Sequence, residues 1–201
     1  MTREAGPGPR EVDGLLPLAE SRPREALNKA RAILRERPGP YEASVAHHAA
    51  GIVLREFGDV DAGVSELRDA LRMARQTGLV EREVDVLGAL GIALVYAGRT
   101  TTGLAAFDHA LKLCNGVRAG YVLHRRSVVL WTLGQYAAAL EDTRRAVTLL
   151  RRAGDTLYVN GLYRHGFLLA PALARRAAQA LLEGRHFPEV MDEDSRQRRL
   201  A

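Results

Sequence analysis

One pattern recurs three times along this 201-residue chain, and it constrains the fold more than any other feature of the sequence. Residues 46–74 align without a gap with residues 86–114, so that Gly51 matches Gly91 at a spacing of 40 residues. A third copy, residues 122–150, follows the second at a spacing of 36 residues. Self-similarity at a period of roughly 20–50 residues is typical of repeat folds, in which each unit buries its apolar face against the next unit.

Each copy reads as a helix, a turn and a second helix. In the second copy, Leu87, Leu90 and Leu94 recur at spacings of three and four, which predicts one apolar helical face. Asp59 and Thr100 are predicted to cap the second helices of the first two copies. A glycine follows the first helix of every copy, where a left-handed C-cap is expected, and these residues are Gly58, Gly98 and Gly134.

The predicted organisation is all-α, with a repeat domain over residues 11–186. Pro17 is expected to interrupt the helix that should precede residues 24–34, which makes the first unit incomplete. The terminal segments, residues 1–10 and 187–201, are expected to be disordered. The predicted units are a partial repeat at 11–38, full repeats at about 42–76, 82–115 and 119–153, and a degenerate repeat or cap at 156–186.

These units resemble the tetratricopeptide repeat. The family has a glycine in the middle of the first helix, which Gly51 and Gly91 match and which Ser127 replaces in the third copy. Its later small position in the second helix is matched in all three copies, by Ala70, Ala110 and Ala146. The usual Trp and Tyr of the first helix are absent. The resemblance implies a right-handed superhelical solenoid of antiparallel helix hairpins, whose first helices line a concave groove.

The chain is also similar in texture to arrays that precede a caspase-like (CHAT) peptidase domain in actinobacterial proteins, and to arrays in large helical transcriptional regulators. Neither effector domain is present in these residues, so those activities do not carry over. One alternative is that the chain is the repeat part of a split peptidase of the CHAT type.

The resemblance assigns a partner-binding groove for a protein or peptide. Trp131 and Tyr96 have an alternative interpretation, in which they pack between neighbouring units instead of facing a partner. Interface hot spots favour Trp, Tyr and Arg, which supports the groove set as a whole. The predicted groove residues are His48, Ile52, Arg55, Asp85, Tyr96, Tyr121, His124, Val128 and Trp131.

The sequence contains no pattern of catalytic or metal-binding residues. His47 and His48 are adjacent, so on a helix they point in different directions, and no further ligand follows at metal-site spacing. Cys114 is the only cysteine and is expected to be a small buried hydrophobic residue in a cytoplasmic protein. We therefore expect no enzyme activity, no metal and no cofactor.

Arginine supports a second hypothesis about the partner. Residues 117–201 hold 14 arginines against 8 acidic residues, which would suit nucleic acid or another polyanion. The absence of a recognition motif favours a protein partner over nucleic acid. We expect no membrane span, because no apolar run is long enough, and the apolar residues at 168–182 leave self-association open.

Overall fold

The computed structural model describes residues 12 and 14–151, and no strand occurs in this part of the chain. The prediction of an all-α fold is confirmed for these residues. The described helices all lie in the compact unit Met1–Ala153. They are α1 (Leu15–Ser21), α2 (Pro23–Arg35), α3 (Pro40–Glu56), α4 (Val60–Thr77), α5 (Val80–Tyr96), α6 (Thr100–Leu113), α7 (Gly116–Thr132) and α8 (Tyr136–Arg151).

Helices pack mainly against their neighbours in sequence. The most extensive contacts join α3 to α4, α5 to α6 and α7 to α8, and these three pairs correspond to the three predicted full repeats. The first helices also contact one another, α3 with α5 and α5 with α7. Each pair therefore buries apolar surface against the next, as expected when single hairpins are too small to form a core.

Glycines allow the two helices of a pair to cross closely. A Cβ on Gly91 would lie 2.7 Å from Phe107 Cε2 and 3.0 Å from the Gly103 carbonyl oxygen. In the preceding pair, a Cβ on Gly51 would lie 2.6 Å from Leu67 Cγ. The residue that fills each crossing is fully buried. Gly51 and Gly91 thus have equivalent surroundings, which supports the alignment of the repeats.

The third pair crosses with larger residues. Ser127 and Ala139 are buried where the first two pairs have glycine. The Ser127 hydroxyl donates to the His124 carbonyl oxygen at 2.7 Å, and the Thr143 hydroxyl donates to the Ala139 carbonyl oxygen at 2.8 Å. These hydroxyls bond within their own helices, so both polar groups are satisfied without a partner across the crossing.

The turns inside the pairs confirm the glycine prediction and correct one cap. Gly58, Gly98 and Gly134 have φ of 88°, 74° and 74°, in the left-handed region. Asp59 caps α4, accepting from the Ala62 amide at 3.3 Å. Thr100 is instead the first residue of α6, and Arg99 occupies the capping position, where its side chain makes no hydrogen bond that caps the helix. In both turns the capping position is the residue directly after the glycine, and the prediction of Thr100 did not use this spacing.

Pro17 does not abolish the first helix of the partial repeat. It lies in the first turn of α1, where the backbone amide has no intrahelical acceptor and proline costs little. The Ser21 hydroxyl donates to the Pro17 carbonyl oxygen at 2.9 Å. The partial repeat at 11–38 therefore contains two helices, α1 and α2.

Three predicted segments lie outside the described residues: the termini 1–10 and 187–201, and the degenerate repeat or cap at 156–186. Among the helices of residues 14–151, none combines the length and the apolar character that a membrane span requires.

Candidate functional site

The predicted groove residues fall into three classes of exposure. Four are exposed on α5 and α7, with 59% of Tyr96, 44% of Tyr121, 41% of Val128 and 62% of Trp131 accessible. Ile52, Arg55, Asp85 and His124 are half-buried. We call the solvent-facing side of α3, α5 and α7 that carries these eight residues the first-helix face. His48 is buried.

A shallow pocket of about 130 Å³ lies between α5 and α7 on this face. We call it the α5–α7 pocket. Its walls are mostly apolar, and a guanidinium and an imidazole complete them. Three of the predicted residues meet there, Tyr96, His124 and Val128. The full lining is Ile92, Tyr96, His124, Arg125, Val128, Val129 and Thr132.

The two large aromatic side chains make contacts within the chain and remain more than half exposed. The Arg55 guanidinium lies 5.9 Å from the centre of the Tyr96 ring, a cation–π contact between α3 and α5. Trp131 meets the edge of Tyr136 with ring centres 4.9 Å apart. Such contacts contribute about 0.5–1.5 kcal/mol each and hold the rings in place. Neither ring is packed away between units in the described residues.

His48 is only 3% exposed, which differs from its predicted place on an open groove. Its Nδ1 lies 2.9 Å from Arg82 Nη2, so Nδ1 accepts this hydrogen bond and His48 is neutral. Burial, and then the charges of Arg82, Arg125 and Arg55, hold the pKa of His48 well below its usual range. Sequence reasoning missed Arg82 because its partners lie in the preceding repeat.

Stability is expected to fall as the pH drops below about 6.5, because the unfolded chain then protonates His48 and the folded chain resists it. Because the pKa of His48 is lower in the folded chain, the folded state loses no stability through His48 above the pKa of the unfolded chain, and it loses stability as the pH falls below that value. Burial lowers the pKa of His124 as well, which acts in the same direction. Urea unfolding between pH 8 and pH 5 measures the effect. A His48→Gln variant with the same pH slope as the wild type would contradict it.

Asp85 and Arg82 meet at a second cavity, of about 350 Å³. The Arg118 guanidinium donates to Asp85 Oδ1 at 2.8 Å, which joins α7 to α5. We call this space the Arg82 cavity. Its lining is Leu16, Tyr41, Val45, Leu79, Glu81, Arg82, Asp85 and Arg118.

The residues considered for metal binding and for thiol chemistry can be located in the structure. No group of three His, Cys, Asp or Glu side chains lies close enough to hold a metal ion there. Cys114 is half-buried at the end of α6, and burial raises the pKa of its thiol. A raised thiol pKa reduces the thiolate fraction and with it the nucleophilicity.

The arginines that follow residue 117 are not all available to a polyanion. Arg126 donates through Nε and Nη2 to both carboxylate oxygens of the buried Asp142, at 2.6 Å and 2.8 Å, and through Nη1 to Asp108. The hydrogen bonds to Asp142 raise the pKa of the Arg126 guanidinium. Arg126 therefore joins α7 to α6 and α8. Arg144 and Arg145 are exposed on α8.

Comparison with known proteins assigns no family. No family model matches the chain, and no solved structure matches it. A segment of 36 residues is 64% identical to part of a protein named as a thiamine biosynthesis oxidoreductase, ThiO, from Rhizobium etli. The match covers 18% of this chain and 11% of that protein. A likeness of this length carries no conclusion about activity.

Proposed function

We propose that this chain is a non-enzymatic adaptor of tetratricopeptide type that binds a peptide or a helix of a partner protein on its first-helix face. The observation that carries the proposal is the exposure of Tyr96, Tyr121, Val128 and Trp131 on two adjacent first helices. Large apolar side chains grouped on a surface mark interaction sites more often than isolated ones do. We propose the cytoplasm as its compartment, in keeping with the single cysteine.

The spacing of the helices supports a concave first-helix face. Contacts between successive pairs include α3 with α5 and α5 with α7, both between first helices. Of the described second helices, α4 and α6 make no comparable contact, and neither do α6 and α8. A stack with one closely spaced row and one widely spaced row curves toward the closely spaced row. This curvature supports a superhelical solenoid with a groove along the first helices.

The chemistry of the α5–α7 pocket suits an apolar anchor with an acidic neighbour. Ile92, Val128 and Val129 can bury an aliphatic or aromatic side chain of the partner. Arg125 is exposed at the same pocket and makes no ion pair or hydrogen bond among the described residues. A carboxylate next to the anchor could therefore pair with Arg125, which would add specificity more than affinity.

Selection from a display library of random peptides tests the proposal. We expect the chain to select peptides with an apolar residue beside an acidic one. Val128→Glu should raise the dissociation constant of a selected peptide by about tenfold or more, because the new carboxylate lies in an apolar pocket and repels the acidic residue of the peptide. Trp131→Ala should raise this dissociation constant too. Isothermal titration calorimetry gives the dissociation constants.

Leu140→Glu is the matched control, since Leu140 is 52% exposed on the second helix α8. It adds the same charge at an exposed apolar position outside the pocket, and peptide affinity should stay within about twofold. The proposal fails if no peptide is selected, or if Val128→Glu and Leu140→Glu weaken binding equally.

A further inference from the structure

Arg82 is a buried cation that neutral groups hold in a fixed orientation. The residue is 6% exposed and lies in the first turn of α5. Its Nε donates to the Ser44 hydroxyl at 3.0 Å, and its Nη2 donates to the Ser44 carbonyl oxygen at 3.0 Å and to His48 Nδ1. The Ser44 hydroxyl in turn donates to the Ala70 carbonyl oxygen of α4 at 3.0 Å. The network thus fixes the guanidinium plane.

One nitrogen of the Arg82 guanidinium takes no part in this network. Nη1 of Arg82 has no acceptor among the described residues. No fully buried side-chain nitrogen or oxygen of these residues lacks a partner, so solvent reaches Nη1. Arg82 is one of the residues that line the Arg82 cavity. An Nη1 that solvent reaches, on a side chain that lines the cavity, is a candidate N–H donor to a ligand there, and no carboxylate of the described residues forms an ion pair with it.

The surrounding charges select the kind of anion. Asp85 is already paired with Arg118, and Glu81 is exposed on the same lining. Two acids near the donor oppose a multiply charged group such as phosphate, whereas a single negative charge meets less repulsion. Leu16, Val45 and Leu79 supply apolar wall next to the donor.

We propose that the Arg82 cavity binds a carboxylate that carries an adjoining apolar group, with the carboxylate on Nη1 of Arg82. The carboxylate belongs either to a small organic acid or to the C-terminal residue of a peptide. In the second case the site deepens the proposed function, since α3, α5 and α7 all contribute to the cavity and to the first-helix face. The preformed orientation of Arg82 lowers the cost of binding, because no rotamer has to be fixed.

Titration of the isotope-labelled chain with N-acetylleucine, followed by NMR, tests the site. We expect saturable shifts of the Leu16, Val45 and Leu79 amides, with a dissociation constant of about a millimolar, as suits one charged hydrogen bond and one side chain. N-Acetylleucinamide has the same shape without the charge and should bind roughly tenfold more weakly or not at all. Equal shifts from both compounds, or none from either, overturn the proposal.

A pair of variants at the cavity mouth keeps the fold intact. Leu79 is 47% exposed at the residue preceding α5, where Asp and Asn are both favoured capping residues. Leu79→Asp places a negative charge by the bound carboxylate and should weaken N-acetylleucine several-fold more than Leu79→Asn. Identical affinities for the two variants would show that the carboxylate does not bind here.

A titration with peptides distinguishes a small organic acid from a peptide C-terminus as the natural ligand. It also distinguishes failure of this site from failure of the proposed function. A peptide that ends in leucine, with a free or an amidated C-terminus, should show the same preference for the free acid if peptides are the natural occupants. If only N-acetylleucine discriminates, the carboxylate is that of a small acid. Peptides that bind the α5–α7 pocket without regard to their C-terminus, together with no effect of N-acetylleucine, overturn this site and leave the proposed function intact.

Discussion

Replacing Phe107 by alanine is expected to destabilise the chain by about 3–5 kcal/mol, the usual cost of deleting a buried aromatic ring. Phe107 is 0% exposed and lies against Gly91 at the crossing of α5 and α6. Gly91 has no side chain that could move into the space from the α5 side of the crossing. It belongs to the same core cluster as Leu87 of α5 and Val122 of α7, so its loss loosens two helix pairs.

Phe57→Ala is the matched control for this prediction. Phe57 is 51% exposed at the end of α3, so the same atoms are removed without leaving a cavity. The free energy of unfolding in urea should change by roughly 0.5 kcal/mol or less. Similar losses in the two variants would mean that Phe107 does not lie in a packed core at the α5–α6 crossing.

Gly103→Ala is expected to destabilise the chain by about 1–3 kcal/mol, although alanine is the better helix former. A Cβ at Gly103 would lie 2.7 Å from the Gly91 carbonyl oxygen and 3.1 Å from the Val95 amide nitrogen. Both are backbone atoms, which cannot rotate away as a side chain can. The helices α5 and α6 would have to separate, and the thermal midpoint would fall.

Gly88→Ala should have the opposite sign. Gly88 is inside α5, and a Cβ there would lie 3.2 Å from Arg125 Nη1, the mobile end of a long side chain. The substitution should therefore raise the free energy of unfolding by up to about 1 kcal/mol, through helix propensity. If Gly103→Ala were also neutral or stabilising, the close approach of the helix pair would be disproved.

The repeated motif alone predicted most of the backbone. The helix pairs α3–α4, α5–α6 and α7–α8 span residues 40–77, 80–113 and 116–151, and the bounds of the full repeats at 42–76, 82–115 and 119–153 stay a prediction. The turn glycines were also predictable, since a left-handed C-cap is a requirement of the local chain. The Thr100 cap was wrong because it was inferred from residue type, without the spacing from the turn glycine that the Asp59 cap illustrates.

The candidate sites were predictable only in part. The family resemblance identified Tyr96, Val128 and Trp131, and these are exposed. It also selected His48, which is buried because Arg82 of the next repeat reaches back to it. From the sequence, Arg126 was only one of the 14 arginines of residues 117–201, while its carboxylate partners lie on neighbouring helices.

The amino-acid sequence by itself determined that this chain forms paired helices, where each pair turns, and which small residues lie at the crossings. These properties follow from the helical period and from backbone sterics, which act over a few residues. Only the tertiary structure decided that Arg82 is buried with one nitrogen left over, and that Trp131 is exposed. The burial of Arg82 and the exposure of Trp131 depend on how one helix is rotated and shifted against another. Contacts between residues far apart in the sequence determine that arrangement.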